Sequence, residues 1–462
     1  MVITPPVGAP TLGTIQRSTG VHDDLYARAL VLDDGRREIA ILSLDLIGMS
    51  FEFADEIRHA ITASTGITTA LVHCTHNHSS PFTIPWSVLG PRWLSGPGKA
   101  WRDDLAPKLA ALVGLTKSKK ERVVFRAGRA PVQLGTNRRL MSAQGVVMKP
   151  NPAGPVVPWV DVLCVDRLDA SPVAVLFSHA AHPVIIHGSS RLISAEFPGF
   201  AARKLKDRIG GNVITMFGQA FAGNVNGDPL RGGIDAAQHA GEVLAEATFQ
   251  AMCNSEAVPS DEIHITSAHL GLPLQPLPTR KLCSQALQDA QERLVKHYGH
   301  AVFGDEQLWD MQDEAQTAKS QSDSTAADDV QPMEGKAWWM ADTVLCFQDL
   351  LNKIEQHDEN PLRFDAHLLR IGDQWSLLAV THELFAEYQL MLDQAVPTKH
   401  NMMLAYTNGC ESYIPMDRDL ALGGYEAATF PAEGAALRYR YRRALRSGFE
   451  RKVIESLRSL WT

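Results

Sequence analysis

The segment LVHCTHNHSS places His76 and His78 one residue apart at the end of a strand-like apolar run. In extended backbone alternate side chains share a face, so both imidazoles can reach one metal ion, or one can ligate while the other handles protons. A hydrogen-bonded pair on a strand edge is the plainer reading of so short a motif. A second run, VAVLFSHAAHPVIIHG, ends in His179, His182 and His187, with Pro183 breaking the pattern directly after His182. It supplies one further candidate ligand, while His179 and His187 are expected to be satisfied by backbone groups. In WSLLAVTHELFAEYQ, His382 and Glu383 fall at a strand-to-helix junction. Because position 386 is Ala386 the zincin helix pattern fails; Glu383 is either a metal ligand or a favourable charge in the first turn of a helix.

Two more stretches follow strand-like runs. ITMFGQAFAGNVNGDP brings Gly223, Asn224, Asn226 and Gly227 together. Glycines there permit close backbone approach and can leave N–H groups pointing into a crevice, as an oxyanion site requires; a surface turn is the competing reading. MMLAYTNGCESYIPMDRDLALGGYE carries Tyr413 and, twelve residues later, Tyr425. Loop tyrosines are ordinarily packing elements, and composition alone does not single these out.

The elements that must position these residues alternate between β-branched apolar runs and amphipathic segments. Runs at 38–44, 70–74, 173–178, 213–217, 376–380 and 402–406 predict strands, and 51–64, 200–209 and 384–395 predict helices. This pattern indicates an α/β domain, with α+β as the alternative, built on a central mixed sheet flanked by helices. Side chains just beyond the carboxyl ends of strands in such sheets converge on the ligand crevice. Residues 1–462 are expected to form one catalytic domain, with 278–360 as a helical insertion. Within the insertion, 313–335 is polar enough for a loop or lid.

Lys plus Arg at 44 against Asp plus Glu at 52 leaves a net charge of −8, which argues against nucleic acid and anionic lipid as partners. The densest basic run is Arg438, Arg440, Arg442, Arg443 and Arg446. It lies among Leu437, Tyr441, Leu445, Phe449 and Val453 at helical spacing and is expected to be the solvated face of a terminal helix. The six cysteines are scattered without a CxxC pair and read as reduced and mostly buried. No signal peptide or membrane anchor is evident, so a cytoplasmic protein is expected. Homo-oligomerisation is left open.

The order of these motifs resembles the catalytic domain of the neutral, non-lysosomal ceramidases, from ITPP and GVHDDLYARALVLDDG at the start to GGYE near residue 425. Thr75-His76-Asn77-His78-Ser79 is similar to the family's Thr-His-Thr-His-Ser, Asn137-Arg138 to its Asn-Arg pair, and His182 with LISAEFPGFA to its second histidine region. Glu383 stands where the family has a ligand glutamate, SYIP where it has a ligand tyrosine, and Tyr425 where it has a second active-site tyrosine. The resemblance implies one Zn2+ per chain on His76, His182, Glu383 and Tyr413, with His78, Arg138 and Tyr425 around it. Asn226 falls in Gly223-Asn224-Val225-Asn226-Gly227, where the family has Gly-Asp-Val-Ser-Pro and its catalytic serine. That change, the missing export signal and the missing C-terminal immunoglobulin-like domain shift the expected substrate away from ceramide. The function so implied is a zinc-dependent hydrolase that cleaves a carbon–nitrogen bond, other than a peptide bond, in a small polar amide, lactam or imide through metal-activated water. A ceramide-type lipid amidase and a non-catalytic metal-binding homologue are the alternatives.

Overall fold

The computed structural model describes residues 1–87, 89–143, 145–299 and 337–462. Its frame consists of parallel strand pairs, three of them joined by right-sized helical crossovers. Glu38–Leu44 pairs with Thr69–Cys74 across the helix Phe51–Thr65. That helix begins because Ser50, in extended backbone, accepts the Phe53 N–H, and ends because Gly66 adopts a left-handed φ of 77° and returns its N–H to Thr62. Phe53, Ala54, Ile57 and Ile61 recur at helical spacing and are the face it buries. Pro172–His179 pairs with Ile214–Gln219 across Glu196–Ile209, and Trp375–Val380 with His400–Leu404 across Ala386–Ala395. Two short parallel pairs join Glu383–Leu384 to Tyr413–Ile414 and Gly20–Val21 to Leu192–Ile193.

Antiparallel strands complete the sheets, so the architecture is α/β with mixed sheets. The strands are divided among a five-stranded, a four-stranded and a three-stranded mixed sheet, a three-stranded antiparallel one and two-stranded ones, rather than gathered in one central sheet. A shared apolar layer joins the three: Ile41 and Leu71 from one, Leu163, Leu176 and Met216 from the second, Leu369, Leu377 and Leu404 from the third. Strands covered on both sides read as continuous apolar runs, which is why these were legible in the sequence. The carboxyl ends of three parallel strands then meet. Cys74 N–H donates to Tyr406 O, Ala405 N–H to Gln219 O and Asn408 N–H to Val72 O.

Between 278 and 360 the helices Arg280–Tyr298 and Ala337–Glu355 pack against each other. The polar stretch 313–335 lies outside the described residues. No helix is long and apolar enough to cross a membrane among the described residues. All six cysteines are free, and all but Cys253 are buried.

The terminal basic run corrects the sequence expectation. A helix covers Ala435–Arg438, and the next begins at Phe449. Arg438, Arg442 and Arg443 are buried. Arg438 pairs with Asp342 and lies 3.7 Å from the Trp339 ring centroid; Arg442 donates to Asp349 and to the carbonyls of Leu437, Arg438 and Tyr439. Arg443 donates to the carbonyls of Gln275, Asp358 and Asn360. Arg442 thus satisfies carbonyls that a continuous helix would have used internally, while Arg438 and Arg443 tie the segment to distant parts of the chain, which apolar spacing alone does not reveal.

Candidate metal centre and active site

Four chain segments converge where the parallel strands end. His76 follows Thr69–Cys74, His182 follows Pro172–His179, Glu383 follows Trp375–Val380, and Tyr406 follows His400–Leu404. Three of the residues on these turns, His76, His382 and Tyr406, are held at φ of 61°, 71° and 51°. Left-handed backbone is unfavourable for such side chains and concentrates where the surrounding fold fixes a functional geometry.

His76 Nδ1 lies 2.7 Å from the Ile47 carbonyl. His182 Nδ1 lies 2.7 Å from the Ala222 carbonyl and 3.2 Å from that of Val225. Carbonyls only accept, so each Nδ1 carries the proton and each Nε2 presents a lone pair. Both Nε2 atoms face the same carboxylate oxygen: Glu383 Oε2 is 3.3 Å from His76 Nε2 and 3.1 Å from His182 Nε2. The Tyr439 hydroxyl donates to Oε1 of Glu383 and the Tyr406 hydroxyl to Oε2 at 3.4 Å, while the Tyr406 ring stacks on His76 at 4.0 Å. His78 completes the group. Its Nε2 is 3.3 Å from His76 Nε2, and the ligand-capable nitrogens of His76, His78 and His182 all lie within 4.8 Å of one another.

The electrostatics agree with that assignment of protons. Burial, then Arg138 and His76, push the His182 imidazole down to about 4. Burial and the neighbouring His76, His187, His182 and Arg138 push His78 well below its usual value. Burial works against the charge on Glu383, but His76 and His182 outweigh it and hold the carboxyl below its ordinary range. With both Nδ1 protons held by carbonyls, the neutral imidazoles turn their Nε2 lone pairs toward the buried Glu383 carboxylate. Such an arrangement is unfavourable by itself and fits a divalent cation, with imidazoles fixed by backbone carbonyls and a carboxylate fixed by phenols. The residues present fit a metal.

Arg138 stands beside this group, on the strand Gly135–Ser142. Its Nε donates to Glu426 at 2.8 Å, Nη1 to Asn226 Oδ1 at 2.9 Å, and Nη2 to Gly223 O at 2.7 Å and to the Tyr413 hydroxyl at 3.2 Å. Four contacts leave one Nη1 N–H uncommitted. Arg139 secures the other oxygen of Glu426 at 2.6 Å. Since Arg138 can only donate, the Asn226 carbonyl oxygen faces it and the Asn226 amide N–H groups point elsewhere. Tyr413 packs edge-on against Tyr425, with ring centroids 5.8 Å apart. Burial raises both phenols above their usual value, Glu383 adds to the effect, and Arg138 opposes it.

The structure thus gathers His76, His78, His182, Glu383, Arg138, Asn226, Tyr413 and Tyr425 in one place. Glu383 precedes the first turn of the helix Ala386–Ala395 and faces the imidazoles instead of capping it. His179 bonds the Trp159 carbonyl at 2.8 Å, a backbone partner as expected, and His187 packs its ring 5.1 Å from His78. His382 is turned away, between Arg363 O and the Glu411 N–H.

Three N–H groups of the 223–227 stretch are committed to carbonyls and do not point into the crevice. Gly223, Val225 and Gly227 N–H donate to Leu384, Ala222 and His182 carbonyls. Nor is it a surface turn: a Cβ on Gly223 would sit 2.7 Å from Glu383 O, so only glycine allows the two segments to approach. The stretch contributes the Gly223 carbonyl and the Asn226 side chain. Sequence reasoning missed Tyr406, Tyr439 and Glu426. Tyr406 closes a strand-like run, as the histidines do, and the same positional rule could have found it. Tyr439 is embedded among arginines and gives no local signal.

No protein-family model and no curated protein matches the sequence. Among solved structures, the chain is similar to the neutral ceramidase from Pseudomonas aeruginosa, with a TM-score of 0.64 and 15% identity over 99% of this chain and 73% of that one. It is likewise similar to a ceramidase complexed with C2, with a TM-score of 0.66 and 14% identity over 99% and 74%. The chain has the fold of these proteins, as the motif order implied.

Proposed function

We propose that this protein is a metal-dependent hydrolase that cleaves the carbon–nitrogen bond of a small polar amide, lactam or imide. The observation that carries the reading is the pair of imidazoles, their tautomers fixed by carbonyls, that turn lone pairs toward the carboxylate of Glu383. His76, His182 and Glu383 would hold the metal, with Tyr413 as the fourth ligand implied by the resemblance. Zinc suits this nitrogen and oxygen set, and manganese or iron also fits it. Bound there, the metal would lower the pKa of a water and polarise the amide carbonyl.

The chain's own groups supply the rest. Arg138 is locked by Glu426 and Gly223, so its remaining N–H can meet developing negative charge on the amide oxygen without reorganising. Tyr425, protonated because its pKa is raised, is a second donor. Neutral His78 can take a proton from water and release it to the leaving amine. Asn226 cannot act as a hydroxyl nucleophile, but its free amide N–H groups can bind a polar substituent.

A lipid amidase is the second reading. It is favoured by the exposed side chains of Met141, Met148 and Leu422 on and beside the hairpin that carries Arg138. The test is kcat/KM on dispersed long-chain ceramide against small amides, lactams and imides, for wild type and Asn226→Ser. Turnover confined to the small panel is expected; efficient ceramide turnover with none on that panel would contradict the proposal.

A further inference from the structure

Arg231 precedes the helix Gly233–Cys253 and is held at a left-handed φ of 62°. Its segment is laced along the loop that carries His182. Gly227 N–H donates to His182 O at 3.0 Å, Arg231 N–H to Val184 O at 3.3 Å, and Gly233 N–H to Ile185 O at 3.0 Å. The side chain runs past Gly188, where an added Cβ would lie 3.6 Å from Arg231 Nε and 3.4 Å from Gly13 O. A Cβ on Gly13 would in turn lie 3.3 Å from His187 Nδ1 and 3.0 Å from His78 O. Arg231, Gly188, His187, Gly13 and His78 therefore neighbour one another in turn, and the His187 ring lies 5.1 Å from that of His78 in the metal-binding group.

Arg138, Arg139, Arg438 and Arg442 each rest on a carboxylate. Among the described residues no carboxylate pairs with Arg231. Its Nε is buried without a hydrogen-bond partner. Burial alone acts on its basicity, and lowers it. Nearby Asp228 is engaged by the Thr136 hydroxyl at 3.2 Å. A half-desolvated guanidinium with no counter-charge is costly, and buried polar groups in folded proteins almost always have partners. Its planar fork matches the oxygens of a carboxylate or phosphate.

We infer that Arg231 is the recognition arm for an anionic group on the substrate, placed beyond His78 and His187 from the scissile bond. The inference rests on the hydrolase reading and narrows its substrates to amides that carry a carboxylate or a phosphate. Arg231 binds that group and fixes the amide over the metal-binding residues; it takes no part in the bond cleavage.

The experiment titrates inorganic phosphate and, separately, succinate into the full-length purified protein by calorimetry, for wild type, Arg231→Gln and Arg231→Lys. Thermal melts verify that the variants fold. The dissociation constant is expected to rise about tenfold or more in Arg231→Gln, as for loss of a charge-assisted contact, and to recover in part in Arg231→Lys. The anion bound more tightly by wild type identifies the group. Kinetics then compare N-acetylglycine with N-acetylglycinamide, and N-acetylphosphoethanolamine with N-acetylethanolamine. Arg231→Gln should raise KM for the charged member of a pair, leave kcat nearly unchanged and spare the neutral member. Equal anion affinity in wild type and Arg231→Gln would overturn the inference, as would amide turnover indifferent to both substrate charge and Arg231. Arg231-dependent anion binding with no amide turnover would uphold the anion site and contradict the hydrolase reading.

Discussion

Replacing Arg438 with methionine should destabilise the protein far more than a surface arginine would. The guanidinium is fully buried, pairs with an equally buried Asp342, and donates to Thr343 and to the Trp339 carbonyl. Methionine fills much of the volume but takes the buried positive charge away from the Asp342 carboxylate, which also accepts from the neutral Ser87 hydroxyl at 2.5 Å and the Cys346 thiol at 3.5 Å. Removing one partner of a buried pair costs about 3–5 kcal/mol, whereas exposed pairs are worth about 0–1 kcal/mol. The upper range applies because Arg438 also gives up its stacking on Trp339. Urea unfolding of wild type, Arg438→Met and the double variant Arg438→Met with Asp342→Asn measures this. The double variant should recover part of the loss, since neither charge remains buried alone. A cost below about 1 kcal/mol for Arg438→Met would refute the buried pair and restore a solvated helix face.

Arg138→Ala should lower kcat/KM by a factor on the order of 100 with metal content unchanged, as for loss of an oxyanion donor; unaltered turnover would remove Arg138 from the chemistry. Tyr439→Phe deletes the donor to Glu383 Oε1 and should weaken metal binding about tenfold or more in chelator competition; equal affinity would show that the phenol does not orient the ligand. Glu196 concerns stability. Burial pushes its carboxyl up to about 7 from an ordinary 4.5, against the opposing N–H groups of Phe197, Ile186 and Ile185. The folded state thus keeps a proton that the unfolded chain releases. The resulting stabilisation, on the order of 3 kcal/mol, is full below the ordinary value and lost as pH rises through about 7. Urea midpoints measured across that window should fall less steeply for Glu196→Gln, and an identical slope would refute the assignment.

The parallel strands were legible because, covered on both faces, they appear as unbroken apolar runs. The apolar run 38–44, for example, has the same bounds as the strand Glu38–Leu44. The antiparallel strands were not. Gly145–Asn151 is half exposed and contains Lys149 and Pro150, so no apolar run marks it, and pairing with the neighbouring strand Gly135–Ser142 supplies what local pattern does not. Chemistry-bearing residues stood out where they directly follow such runs, as His76, His182 and Glu383 do. Tyr413 and Tyr425 were found through motif order, because a phenol in a loop has no spacing of its own to betray it. Tyr439 and Arg438 escaped because their roles come from partners far away in the chain, Glu383 and Asp342. The Gly223 and Gly227 N–H groups were missed for the same reason: their acceptors, Leu384 and His182, lie in other segments.

The most direct measurement is the metal content of the purified full-length chain by elemental analysis, for wild type and for the double variant His76→Ala with His182→Ala. One transition metal per wild-type chain is expected, and none in the variant, because each substitution removes an Nε2 lone pair that faces Glu383. Wild type without metal after reconstitution with zinc, manganese or iron, or a fully loaded double variant, would contradict the metal centre on which the function rests.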